Sequence, residues 1–116
     1  MINRKSIGDN GEDNAVNFLL ANSYKVLERN FRFGRGEIDI IAQKNSILVF
    51  VEVKTRKNIN YGYPEIYLSE PQQERIHRVA EEYIQQKNWS GVIRFDIISI
   101  LWGEEEANFE HFEDAF

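Results

Sequence analysis

The stretch that decides the fold is residues 36–56, GEIDIIAQKNSILVFVEVKTR. Glu37–Ala42 reads as one strand and Asn45-Ser46 as a turn. Ile47–Thr55 is the most strand-like part of the chain, because it is rich in β-branched residues. Its apolar residues run almost without interruption, which indicates a central strand buried on both faces.

The turn between these strands predicts which side chains face each other. If Asn45-Ser46 is a two-residue turn, Lys44 pairs with Ile47, and Asp39 then lies opposite Glu52 on a shared face. Two carboxylates about 5 Å apart repel each other unless a proton or a cation lies between them. A hard divalent cation, Mg²⁺ or Mn²⁺, suits such oxygen ligands. A shift of one residue would send Asp39 to the other face, so the prediction depends on the register.

A charged triplet ends the central strand. Side chains alternate along a strand, so Glu52, Lys54 and Arg56 share a face. Beside the two carboxylates, Lys54 could help to deprotonate a water or stabilise charge on a phosphate, as metal-assisted phosphodiester hydrolysis requires. The plainer interpretation is that Asp39 and Glu52 form ion pairs with Lys54 and Arg56 on a solvated sheet face.

The rest of the chain places helices on this sheet. A helix is predicted over Gly8–Asn22, a strand over 24–33 ending at Gly34-Arg35-Gly36, a loop over Lys57–Tyr67, a helix from Pro71, a buried strand over Val92–Trp102 and an edge strand over Asn108–Phe112. A helix between two buried strands forms a right-handed crossover, so the two strands should be parallel. We expect one α/β domain, residues 1–116, with a mixed central sheet flanked by helices.

Composition and charge restrict the class of protein and its cellular compartment. Of 116 residues 42% are hydrophobic, which suits one core, and the lack of cysteine excludes disulfides and thiolate metal sites. No signal peptide or membrane span is evident, so a cytoplasmic protein with no membrane partner is expected. The net charge is −5, yet residues 1–60 carry +3 and residues 61–116 carry −8. A basic half is compatible with nucleic acid and also with simple solubility.

Side chains that could touch nucleic acid are spread along the chain. Phe31 and Phe33 lie among four cations in the sequence, Lys25, Arg29, Arg32 and Arg35. These cations could form a patch that binds successive phosphates, or they could be ordinary surface charges. The tyrosines of the 57–67 loop could stack on unpaired bases or pack the loop down. His77 and His111 lack ligand spacing and are predicted to be ordinary surface residues.

Several motifs together resemble the YraN-like family of small bacterial proteins, within the PD-(D/E)XK, restriction-endonuclease-like superfamily. The segments 36–39 and 51–56 resemble its D…ExK signature, and the similarity extends along almost the whole chain. The remaining matches are Gly11-Glu12-Asp13-Asn14-Ala15, Arg29-Asn30, Arg94-Phe95-Asp96 and Ala115-Phe116.

This resemblance implies an αβββαβ core similar to that of archaeal Holliday junction resolvases. It implies a site made of Glu12, Asp39, Glu52 and Lys54, with the three carboxylates as ligands of Mg²⁺ or Mn²⁺ and with DNA as the partner. Symmetric resolution of a junction would favour a homodimer. The predicted nucleic-acid contacts are Arg29, Arg32, Arg35, Arg56 and Gln72.

Two positions depart from the pattern, since Ile38 replaces the superfamily's proline and Gln72 stands where a lysine is expected. Gln72 could instead cap its helix with Ser69, and Glu12 could complete a capping box with Asp9. The predicted function is a metal-dependent DNA endonuclease, acting on branched or flapped DNA. The alternative is a non-catalytic module of the same fold that binds nucleic acid or a partner protein.

Overall fold

Seven helices and strands carry the described part of the chain. The computed structural model describes residues 4–56, 68–102 and 107–116, with side chains for 11–56, 68–101 and 107–116. The predicted loop Lys57–Tyr67 lies outside these residues. In chain order the elements are α1 (Arg4–Ala21), β1 (Lys25–Phe33), β2 (Gly36–Lys44), β3 (Ile47–Arg56), α2 (Glu70–Lys87), β4 (Val92–Trp102) and β5 (Ala107–Phe112).

The strands form one mixed sheet in the order β1-β2-β3-β4-β5. Strands β3 and β4 are parallel, joined through α2, and the other neighbours are antiparallel. This confirms the predicted αβββαβ order, the crossover and the edge strand. The β2–β3 pairing of Lys44 with Ile47 confirms the predicted register as far as Ile40 and Val51.

The two helices cover opposite faces of the sheet, because each carries one apolar stripe. On one face α2 packs Val79 and Tyr83 on Phe50 of β3. On the other face α1 packs Leu19 on Val49. Val49, Phe50 and Val51 are all buried, which confirms β3 as a central strand covered on both sides. The predicted inner face of α2 is buried as well: Ile76, Val79, Ala80 and Tyr83.

The sequence predicted the start of α2 correctly and the start of α1 incorrectly. Helix α1 begins at Arg4 rather than at Gly8, so Asp9 lies inside the helix and the proposed capping box with Glu12 is wrong. The start of α2 is as expected. The hydroxyl of Ser69 accepts from Gln72 N–H at 3.3 Å, and the Gln72 side chain accepts from Ser69 N–H at 3.0 Å.

A buried polar cluster joins β4 to the C-terminal strand. Asp96 is fully buried, and it accepts hydrogen bonds from Arg94 at 2.8 Å and from the backbone N–H of Asp114 at 3.0 Å. His111 Nε2 lies 2.7 Å from the same carboxylate, and its side chain is only 13% exposed. The prediction that His111 is an ordinary surface residue is therefore wrong. Its position opposite Ile98 turns it into the interior, which its isolated place in the sequence did not indicate.

No helix of the described residues is both long and apolar enough to cross a lipid bilayer.

Candidate active site

Strands β2 and β3 separate where the charged residues begin. Their ladder ends at the pair Ile40 and Val51. Beyond this pair a side chain replaces the backbone as the hydrogen-bond acceptor, since Val53 N–H donates to Asp39 Oδ2 at 2.8 Å. Ile38 packs with α2 whereas Ile40 packs with the α1 side, so the regular alternation of β2 is interrupted at Asp39. The carboxylate is thus fixed in the opening between the strands.

Asp39 and Glu52 meet in this opening. Burial is the largest cause that raises the pKa of Asp39 to about 6, and the hydrogen bond from Val53 N–H acts in the opposite direction. Burial together with the negative charge of Asp39 raises the pKa of Glu52 to about 8. A hydrogen bond between the two carboxyl groups contributes to both shifts. The two predicted metal ligands therefore contact each other as the hairpin register indicated.

Lys54 lies close enough to act on this pair. Its charge lowers the pKa of Glu52, but burial and Asp39 outweigh that effect. A simple ion pair between Glu52 and Lys54 would give the opposite net shift. The arrangement is therefore a pair of carboxylates in contact, with the ammonium group of Lys54 beside it.

Glu12 stands at the edge of the site. Gly11 lets α1 cross β3 closely, because a Cβ there would meet Thr55 Oγ1 at 2.5 Å. The neighbouring Glu12 carboxylate accepts from Arg29 Nε at 3.2 Å and from Asn30 Nδ2 at 2.9 Å. Its charge still raises the pKa of Asp39, so the two carboxylates are near each other.

The arginines predicted to touch nucleic acid have different surroundings. Arg29 is held by Glu12 and by Asp13, at 2.7 Å, and so contributes to the site's framework. Arg32 lies 3.6 Å from Glu37 in an exposed pair. Arg56 ends β3, half-buried.

Arg35 faces two cavities that adjoin each other. The smaller, of about 150 Å³, lies beside Glu52 and is also lined by Gln72 and Arg75. The larger, of about 360 Å³, extends along α2 past Arg78. Gln72 therefore caps its helix, as one interpretation of the sequence proposed. It also borders the site, where the other interpretation expected a nucleic-acid contact.

Sequence reasoning missed Arg75 and Arg78. Both are exposed on α2, each one position before a buried residue of the apolar stripe, Ile76 and Val79. Their spacing of three residues places them on neighbouring turns of one helix face. The signal that could have found them is the spacing of these two arginines on one face of the helix predicted from Pro71.

The chemistry of the donors fits a divalent cation, with two carboxylates as the available ligands. Mg²⁺ is commonly held by one or two carboxylates, with water and substrate phosphate completing its shell. Asp39 and Glu52 supply that number, in a place where a cation would offset the repulsion between the two carboxylates. Within the described ranges no group of three or more His, Asp or Glu side chains is arranged to hold a metal ion.

The mixed five-stranded sheet flanked by two helices is that of a restriction-endonuclease-like α/β core. The model of the uncharacterised protein family UPF0102 matches residues 11–100. The chain belongs to that family.

Similar relatives cover the full chain. A UPF0102 protein of Dictyoglomus turgidum is 47% identical over 99% of this chain and 100% of its own length. One of Flavobacterium psychrophilum is 42% identical over 100% and 98%, and one of Clostridioides difficile is 44% identical over 99% and 100%.

Proposed function

We propose that this protein is a metal-dependent DNA endonuclease that hydrolyses phosphodiester bonds at the Asp39–Glu52 pair. The observation that carries the proposal is the contact between two half-buried carboxylates, each with a raised pKa, beside Lys54 in the gap where Val53 N–H holds Asp39. Two half-buried carboxylates in contact are costly for folding, and such perturbed groups in a cleft are typical of functional sites.

Each residue of the site has a proposed role. Asp39 and Glu52 would hold Mg²⁺ or Mn²⁺, and Asp39 is already oriented by Val53 N–H. The cation would supply positive charge that polarises the phosphodiester and neutralises the charge that develops on it. Lys54 would position the attacking water and stabilise the phosphate. The charge of Glu12 lies close to Asp39. Glu12 would complete the acidic side of the site once Arg29 leaves it and binds a substrate phosphate instead.

DNA is the proposed substrate because two arginines line the cavity beside Glu52, opposite Glu37 and Glu52 themselves. Arg35 and Arg75 border that cavity and are suited to phosphate oxygens. A DNA substrate would agree with the cytoplasmic location expected from the sequence. Symmetric cleavage of a four-way junction would require a homodimer, which sedimentation with and without junction DNA would detect.

The direct test is cleavage of an end-labelled flapped duplex with Mn²⁺ under single-turnover conditions. Asp39→Asn keeps an oxygen that can accept from Val53 N–H, and Lys54→Met keeps the apolar stem. We expect each to reduce the rate at least about 100-fold. Lys87→Ala, an exposed lysine at the far end of α2, is the matched control and should cleave normally. Wild-type cleavage by purified Asp39→Asn would refute the assignment.

A second candidate is a non-catalytic nucleic-acid-binding or partner-binding module. It is favoured by the engagement of Glu12 with Arg29 and Asn30, and by the glutamine at position 72, where the resemblance expects a lysine. This module would bind DNA in a salt-dependent manner that is indifferent to metal. Lys54→Met would then weaken binding no more than Arg32→Ala does.

A further inference from the structure

A cleft of about 360 Å³ lies between the β1–β2 turn and the first half of α2. The turn contributes the aromatic ring of Phe33 and the guanidinium group of Arg35. The helix contributes two more arginines, Arg75 and Arg78, one turn apart. The cleft therefore combines groups from two elements that meet only in the folded protein.

Its charge favours an anionic ligand. Three arginines line the cleft and one carboxylate opposes them, that of Glu74. Glu74 lies 3.9 Å from Arg78 in an exposed pair, which has little energetic weight. Within the residues that the structure describes, no ion pair neutralises Arg35 or Arg75. Guanidinium groups arranged in this way match phosphate oxygens along a strand.

Phe33 adds a feature that phosphate binding alone does not need. Its side chain is 47% exposed, although it lines the cleft. Phe31, two residues earlier, instead packs edge-on against Tyr83 at 5.2 Å between ring centroids. An exposed ring beside cations is the usual way to bind single-stranded nucleic acid, with a base stacked on the ring and phosphates on the cations. A base inside a duplex has no free face for such stacking.

The cleft leads to the carboxylate pair. Arg35, Gly36 and Arg75 line both this cleft and the smaller cavity that borders Glu52. We propose that the cleft binds a single-stranded segment of DNA that adjoins the cleavage site. This inference rests on the proposed function and refines its substrate class to duplex DNA with an unpaired strand next to the cut.

Binding is measured by fluorescence anisotropy in EDTA, so that no cleavage occurs, with a labelled single strand and a blunt duplex of equal length. The single strand should bind about 10-fold more tightly. Phe33→Ala should weaken single-strand binding about 10-fold and leave duplex binding unchanged. Arg75→Ala should reduce the salt slope of single-strand binding by about 0.7.

Two control variants match these changes. Leu20→Ala removes an exposed apolar side chain from α1, and Lys87→Ala removes a cation from the far end of α2. Neither should alter binding. Equal affinity for single strand and blunt duplex would overturn the inference, as would a Phe33→Ala affinity equal to that of Leu20→Ala.

The cleavage assay separates this inference from the proposed function. If Asp39→Asn abolishes cleavage while Phe33→Ala keeps the wild-type preference for flapped over blunt DNA, the cleft assignment fails and the nuclease stands. If Phe33→Ala selectively loses single-strand binding while Asp39→Asn still cleaves, the cleft stands and the nuclease fails.

Discussion

At the scale of single residues, Asp39 combines a structural contact with the proposed chemistry. Its carboxylate accepts from Val53 N–H where the β2–β3 ladder ends, so the side chain satisfies a backbone donor in the opening. A side chain that accepts a hydrogen bond from a backbone N–H is held in one position. A preorganised site requires side chains fixed in this way.

Asp96 gives a prediction about pH and stability that is independent of the proposed activity. Burial alone would raise its pKa, but hydrogen bonds from His111, Arg94 and Asp114 N–H outweigh burial and lower the pKa below 3.8. An acid with a lowered folded pKa contributes stability that is complete above its ordinary pKa and is lost as the pH falls towards the folded value.

Asp96→Asn should therefore reduce the free energy of unfolding by about 3 kcal/mol at about pH 7, because it removes the buried carboxylate that pairs with Arg94. Urea unfolding should show the gap to wild type shrinking as the pH falls below the ordinary pKa of aspartate and Asp96 becomes protonated. Asp13→Asn, which alters an exposed pair with Arg29, is the control and should cost under about 1 kcal/mol. A gap that stays constant with pH would contradict this assignment.

At the scale of elements, the approach of β2 to α2 depends on Gly36. A Cβ at this position would lie 2.5 Å from Val79 Cγ2 and 3.0 Å from the Arg75 carbonyl oxygen. Because the helix backbone cannot yield easily, Gly36→Ala should destabilise the protein by about 1–3 kcal/mol. Urea unfolding measures this change.

The control for Gly36→Ala is in the adjoining turn. Gly34 has a φ of +61° with open space around it, and asparagine tolerates that conformation. Gly34→Asn should therefore change the free energy of unfolding by less than about 1 kcal/mol. Equal destabilisation by both variants would show that turn conformation, and not contact with α2, decides the effect.

The sequence predicted the elements with strong local signals. Three signals each favour a single structure: the apolar run of β3, the turn at Asn45-Ser46 and the apolar stripe of α2. The register and the Asp39–Glu52 contact followed from these signals. The start of α1 was missed because a polar first turn has no periodic apolar signal. The bulge between Val26 and Glu28 was missed because it depends on pairing with β2.

The features that escaped prediction arise from contacts between distant segments. His111 is polar and stands alone in sequence, and only the β4–β5 pairing brings it to Asp96. Arg75 and Arg78 lie in the acidic half of the chain, where net charge gives no indication of a cationic cleft. Their role depends on the distance between α2 and the β1–β2 turn, which Gly36 sets.

At the scale of the whole molecule, the fold concentrates cations from both halves of an acidic chain. The net charge is −5, yet Arg35 from the first half and Arg75 and Arg78 from the second half line one cleft. Overall charge is therefore a poor guide to partners here, since a local positive potential can attract a polyanion to a negatively charged protein.

The central claim is that Asp39 and Glu52 bind a divalent cation, and Mn²⁺ titration of isotope-labelled protein tests it most directly. The account predicts selective broadening of backbone amide signals around Asp39, Glu52 and Val53, which is lost in Asp39→Asn. Broadening that is uniform over the acidic surface, or unchanged in Asp39→Asn, would contradict the claim.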